Sequence, residues 1–180
     1  IVSKIADSIN NDGTQHLLKI ISGESGGVNV TSLTLRGSMA SQCGLYVASG
    51  QEHHISNMYV EGFHLNAVRM GNGTGEAPYW CTISGIRIND GRNNPQSSIA
   101  GSIGWIIDGG FPSTNANSMY DCVIGGDYGI SIDMGGTDNK FYNGTIEVVN
   151  GTNITNLLNI KGSNCKIVDV YAEPVGTTLD

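Results

Sequence analysis

The sequence predicts an all-β fold: a right-handed, single-stranded parallel β-helix, a solenoid of about seven turns of roughly 25 residues. Three observations predict it. A six-residue unit recurs with a turn-forming residue at its third place. A second apolar stretch closing on glycine follows each unit. The composition is turn-rich without being strongly charged, with 26 Gly, 18 Asn and only 14% charged residues among 180, which suits a buried apolar lining rather than disorder.

The recurrent unit begins at Val30, Ile55, Ile83, Met119, Phe141 and Ile167, at spacings of 25, 28, 36, 22 and 26 residues. Each copy reads apolar, any residue, corner, any residue twice, and usually apolar again. The corner holds Ser32, Asn57, Gly85, Asp121, Asn143 or Asp169. Such residues bend a chain, and Gly, Asn and Asp tolerate the left-handed conformation. Two short strands are therefore expected to meet at a one-residue corner. A weaker copy from Ile5 would add a seventh turn.

The third strand of each turn is expected in HLLKIISG (16–23), GLYVASG (44–50), NAVRMGNG (66–73), GWIIDGG (104–110), GISIDMGG (129–136) and NLLNIKG (156–162). Loop lengths vary while strand lengths do not, as in solenoids that carry insertions. The long loops, 71–80 and 90–104, are expected to protrude from one side. A single triangle of strands cannot bury its inner side chains, but stacked copies about 4.8 Å apart can. Residues 1–180 thus form one β-helix domain. It is expected to be part of a longer chain, because solenoid ends need caps and no helical cap is visible.

Charge and spacing narrow the functional classes. Nine basic against 16 acidic residues give a net charge of −7, and no basic stripe exists, so nucleic acid is not an expected partner. No run of 18 apolar residues is present, so no membrane insertion is expected. The cysteines, at 43, 81, 122 and 165, lack ligand spacing. Cys81 and Cys165 take equivalent places three turns apart, too far for a disulfide. All four are expected as free, buried thiols, with no metal and no cofactor. The His53-His54 pair abuts a strand start and is expected at the surface. Five N-x-S/T sequons, including Asn143 on a corner, are what an Asn- and Thr-rich chain makes by chance.

The corner-bearing three-strand turn resembles the parallel β-helix of the pectin-lyase-like superfamily, in which a bend residue, often Asn, stacks into a ladder. Here Asn57, Gly85, Asp121, Asn143 and Asp169 would be that ladder. The resemblance covers about Ile5 to Glu173. The Asn-Thr-Asp, Asp-Asp, Gly-His-Gly and Arg-x-Lys signatures of polygalacturonases are missing, and Arg36, Arg69, Arg87 and Arg92 have no evident acidic cluster of the pectate-lyase kind. The chain looks most like a bacteriophage tailspike or tail appendage. That resemblance implies a homotrimer, on the virion or otherwise extracellular, that recognises a bacterial surface polysaccharide and possesses or lacks hydrolase or lyase activity. A non-catalytic adhesin or fibre-shaft segment is the alternative, and a monomeric secreted lyase or hydrolase the third reading.

Candidate chemistry is sought in columns, since equivalent positions on adjacent turns lie one strand spacing apart. WIIDGG and ISIDMGG place Asp108 and Asp133 at the same step of consecutive turns, each pointing outward after an inward Ile107 or Ile132. Two stacked acids repel, so one would keep its proton and serve as a general acid for glycoside cleavage. The bland alternative is two strand-end aspartates capping loops. Glu61 and Glu147 share a second column with Asn89 and Gly125 between them, too far apart to act as a pair. Sugar stacking calls for exposed aromatics. Tyr79 and Trp80, ending the 71–80 loop, are the best candidates, and Tyr46, which alternates outward beside Leu45 and Val47, is a third. Tyr59, Tyr142 and Tyr171 also alternate outward and could line a subunit interface. Trp105 aligns with inward Leu45 and Ile130 and is expected in the core. Asp138 is read as a turn residue.

Overall fold

The computed structural model describes residues 16–22, 27–37, 43–63, 65–89, 102–110, 114–126, 128–148 and 155–174. The copy from Ile5 and the loop 90–101 lie outside them. Parallel strands stack into three long sheets and form a right-handed β-helix. The first sheet holds β1 (His16–Ile21), β4 (Cys43–Gln51), β7 (Asn66–Met70), β11 (Ile103–Ile107), β14 (Ile130–Met134) and β17 (Asn156–Ile160), with β8 (Pro78–Tyr79) pairing the end of β4. The second holds β2 (Asn29–Thr31), β5 (His54–Ser56), β9 (Thr82–Ser84), β12 (Ser118–Tyr120), β15 (Lys140–Tyr142) and β18 (Lys166–Val168). The third holds β3 (Thr34–Arg36), β6 (Tyr59–Glu61), β10 (Arg87–Asn89), β13 (Val123–Gly125), β16 (Thr145–Val148) and β19 (Tyr171–Pro174).

The corner between the second and third sheets falls where the recurrent unit places it. Ser32, Asn57, Gly85, Asp121, Asn143 and Asp169 all have φ between 51° and 61°. The left-handed turn redirects the chain within one residue. Each corner also joins the next turn: Asn57 N–H donates to Ser84 O at 3.0 Å, Gly85 N–H to Tyr120 O at 3.0 Å, and Asp121 N–H to Tyr142 O at 3.1 Å. The corners thus continue the inter-strand hydrogen bonding through the bend.

A second ladder of corners, which the recurrent unit does not mark, joins the first sheet to the second. Glu52, Trp80, Ala116, Asp138 and Asn164 have φ of 53–57°. The residues just before them pair across turns, Gln51 with Tyr79, then Asn115, Thr137 and Ser163. The residues just after them point inward. Asn117 and Asn139 are buried there and close their own network. Asn117 Nδ2 donates to Asn139 Oδ1 at 3.0 Å and to Pro78 O at 3.1 Å, and Asn139 Nδ2 donates to Thr114 O and Gly135 O. Cys81 and Cys165 occupy the same column on flanking turns.

The core is the apolar inside of the triangle. Leu45, Val68, Trp105 and Ile132 stack as one row, and Val47, Met70, Ile107 and Met134 as the next. Trp105 is buried, edge-on to Phe141 at 6.2 Å between centroids. Its alignment with Leu45 holds, but its partner on the next turn is Ile132 rather than Ile130. All four cysteines are free thiols; Cys43, Cys81 and Cys122 are buried and Cys165 half-buried. His53 corrects an expectation. His54 is exposed, but His53 is fully buried, its Nδ1 accepting from Val28 N–H at 3.0 Å and its Nε2 2.9 Å from Ser49 O. It follows the corner residue Glu52, so its side chain turns inward like Asn117 and Asn139.

Candidate functional site

The outer face of the first sheet carries one continuous column: Lys19, Tyr46, Arg69, Ile106, Asp133 and Asn159, one per turn. Alternation puts these side chains outward, opposite the core rows. Asp133 stands beside Ile106, not beside Asp108. The expected stacking of Asp108 on Asp133 is therefore corrected. The register slips by two residues and brings Gly135 level with Asp108. A two-residue slip preserves which face every side chain occupies, so alternation alone does not reveal it.

Both carboxylates border one open groove of about 520 Å³, across the turns of β11, β14 and β17. Its floor includes Gly109, Gly135, Gly136 and Gly162, and its rim includes the hydroxyl residues Thr137 and Ser163. The glycines let neighbouring turns pack closely there: a Cβ on Gly136 would lie 2.0 Å from Thr114 O.

Each acid has its own cation, supplied from opposite sides. Arg69, one turn before, contacts Asp108 Oδ2 at 2.6 Å. Lys161, one turn after, contacts Asp133 Oδ2 at 2.9 Å. Asp133 is only 6% exposed, and its buried Oδ1 has no hydrogen-bond partner. Lys161 itself is largely exposed on the groove. The carboxylates are thus drawn apart along the helix axis, and the mutual repulsion of a stacked pair is replaced by two ion pairs. Lys161 was not singled out from sequence; as one lysine in a turn it carries no motif.

A strap of residues 71–77 closes one end of this face. Gly71, Gly73 and Gly75 take positive φ, and Asn72 Oδ1 accepts from Thr74 N–H and Glu76 N–H. Glu76 fastens the strap down, bonding Lys19 Nζ at 2.7 Å, Asn72 Nδ2 at 3.1 Å and the Tyr46 hydroxyl. Burial alone would raise the Glu76 carboxyl, but the bonds from Lys19 and Tyr46 and the Lys19 charge hold it below its usual range. Burial, then the hydrogen bond to Glu76, pushes the Tyr46 phenol well above its ordinary value. Tyr46 faces outward as expected, yet it is buried, with the His16 ring 4.4 Å away and Lys19 and Arg69 near its ring. It is therefore not an open stacking surface.

Tyr79 and Trp80 follow the strap directly and stand on its turn. Their rings meet edge-on at 5.4 Å, and Trp80 is 58% exposed. Tyr79 pairs through Asn115 to Thr137, so the aromatic pair stands two rungs, roughly 10 Å, from the groove rim. The second column is as expected, with Glu61, Asn89, Gly125 and Glu147 in register; Glu173 extends it by one turn. Glu61 is paired with Arg36 at 2.6 Å. Among the described residues no group of three or more His, Cys, Asp or Glu could hold a metal ion, and no helix is long and apolar enough to cross a membrane. No protein-family model, curated protein or solved structure matches this chain.

Proposed function

We propose that this β-helix binds a bacterial surface polysaccharide along the groove of its first sheet, as a tailspike or tail-appendage domain of the pectin-lyase-like kind would. One observation carries the reading: an open polar groove holding Asp108, Asp133, Lys161, Thr137 and Ser163 continues the column of Tyr79, whose neighbour Trp80 is exposed. Carboxylates, an ammonium and hydroxyls suit the hydroxyl groups of a glycan, and an exposed indole suits the apolar face of a sugar ring. A chain laid parallel to the helix axis would meet Trp80 and Tyr79 first and the acids one and two rungs later.

Cleavage in this groove would invert rather than retain. One rung and two residues separate the α-carbons of Asp108 and Asp133 by about 8 Å, and their cations pull the carboxylates in opposite directions. Retention needs about 5–5.5 Å between carboxyl groups, inversion roughly 6.5–9.5 Å. The same two ion pairs favour the second reading, binding without cleavage, because each acid is already neutralised. Incubation with purified capsule and O-antigen polysaccharides separates the two. New reducing ends that disappear in Asp108→Asn and in Asp133→Asn support an inverting hydrolase. Retention on a polysaccharide affinity gel without new ends supports the binding module. No retention of any host polysaccharide overturns both. The proposed assembly is a homotrimer, read by light scattering on a sizing column; a monomer would favour a free enzyme instead.

A further inference from the structure

The second sheet carries an aromatic feature the groove does not use. Its outward column runs Ser56, Ser84, Tyr120, Tyr142 and Val168, one residue per turn. Tyr120 and Tyr142 lie face to face, with centroids 5.1 Å apart and planes 10° from parallel. The stack therefore follows the helix axis at the strand spacing. The far face of Tyr142 looks toward Val168. The far face of Tyr120 looks toward Ser84, where a ring-sized place in the stack is filled only by a hydroxymethyl group. Tyr120 accordingly stays 36% exposed. The neighbouring corner residue, Gly85, has no side chain of its own; a Cβ there would come 2.9 Å from Asn57 Oδ1, so the Asn57 amide borders the shelf at that corner.

We infer that this shelf is a second ligand site, and that it takes one neutral pyranose ring, which continues the tyrosine stack above Ser84. Three features select that chemistry. The wall is one flat aromatic face, which pairs with the C–H face of a sugar. The margin consists of groups that bond hydroxyls: Ser84, Ser56, the Asn57 amide and the Asp121 carboxylate at the next corner. The one charge among them is negative, and the chain carries −7 overall, which disfavours an anionic sugar. The site lies on a different sheet from the groove and stands independently of it.

The probes are methyl β-glucopyranoside, methyl β-galactopyranoside and methyl α-mannopyranoside, each titrated by NMR. At least one should give a saturable shift of the Tyr120 ring protons. Ser84→Tyr fills the shelf by extending the stack, so the shift should be lost while the circular dichroism and melting curve stay native. Tyr120→Leu should lose the accompanying shift of the Ser84 and Gly85 amides, and Asp108→Asn, in the groove, should keep both shifts. No saturable shift with any of the three sugars, or binding that survives Ser84→Tyr, would overturn the site. So would a change of solution mass in Tyr120→Leu, which would mark the face as a contact between copies. Failure of the groove reading leaves this result untouched, since the two are read on different residues.

Discussion

Trp80 holds a left-handed φ of 57° with a bulky side chain left in solvent. That conformation costs an ordinary L residue about 1–2 kcal/mol, and the half-exposed edge-on contact with Tyr79 offsets only part of it. Trp80→Gly is expected to leave stability unchanged or raise it by up to about 1 kcal/mol, while weakening retention on polysaccharide; denaturant titration and an affinity gel read the two effects separately. Asn57 gives the opposite case. It sits at φ 54° because its type tolerates the bend, so Asn57→Leu should destabilise by about 1–2 kcal/mol, and an unchanged melting midpoint would count against the corner ladder. These two residues also explain what sequence could show. At the first corner the turn-forming type recurs at every copy, so the bend was legible. At the second corner the residues are Glu, Trp, Ala, Asp and Asn, and three of the five have no turn preference. There the backbone is held by pairing of the preceding residue across turns and by inward amides behind it, neither of which leaves a pattern in residue type. His53 was misplaced for the same reason, since its inward turn is set by that unseen corner.

Among the elements, the strap and the amide ladder show how polar groups fasten this fold. Glu76 joins the 71–77 strap to β1 and β4 through Lys19 and Tyr46. Its carboxyl lies below the ordinary value of 4.5. The stabilisation it contributes is therefore complete above that pH, and it is lost as the pH falls through the lower, folded-state value. Acid should release the strap before the β-helix melts, seen as faster amide exchange at Thr74 and Glu76 below about pH 4.5, and Glu76→Gln should abolish that pH dependence. The inward Asn117 is held more firmly. Asn117→Leu would strand Cys81 N–H, which bonds Asn117 Oδ1 at 3.0 Å, along with Pro78 O. The expected cost is about 2–5 kcal/mol for two buried groups, measured by denaturant unfolding. The strand columns were legible because alternation separates inside from outside. The two-residue slip between Asp108 and Asp133 was not, because loop lengths between the second corner and the strands set the register, and alternation is blind to even shifts.

At the scale of the whole molecule, stability is carried by contacts between neighbouring turns, and the thiols report on it. Burial pushes Cys43 and Cys122 up to about 12 and Cys81 to about 11. A raised thiol favours the fold below its unfolded value of 9.0, and that advantage is lost as the pH rises through the folded value. Stability should therefore decline between pH 9 and about 12, and near neutral pH a thiol reagent should reach the half-buried Cys165 before the other three. Both corner ladders have a further consequence, for how such a chain can change length. Every corner is tied to the corner of the next turn, and every outer column is spelled one residue per rung. Inserting or deleting a few residues inside a strand shifts a single rung and breaks the columns on both sides. Removing one whole coil, corner to corner, lets the flanking coils close up in frame. Inheritance and engineering alike can therefore edit this molecule coil by coil, with the loops as the only places where smaller edits go unnoticed.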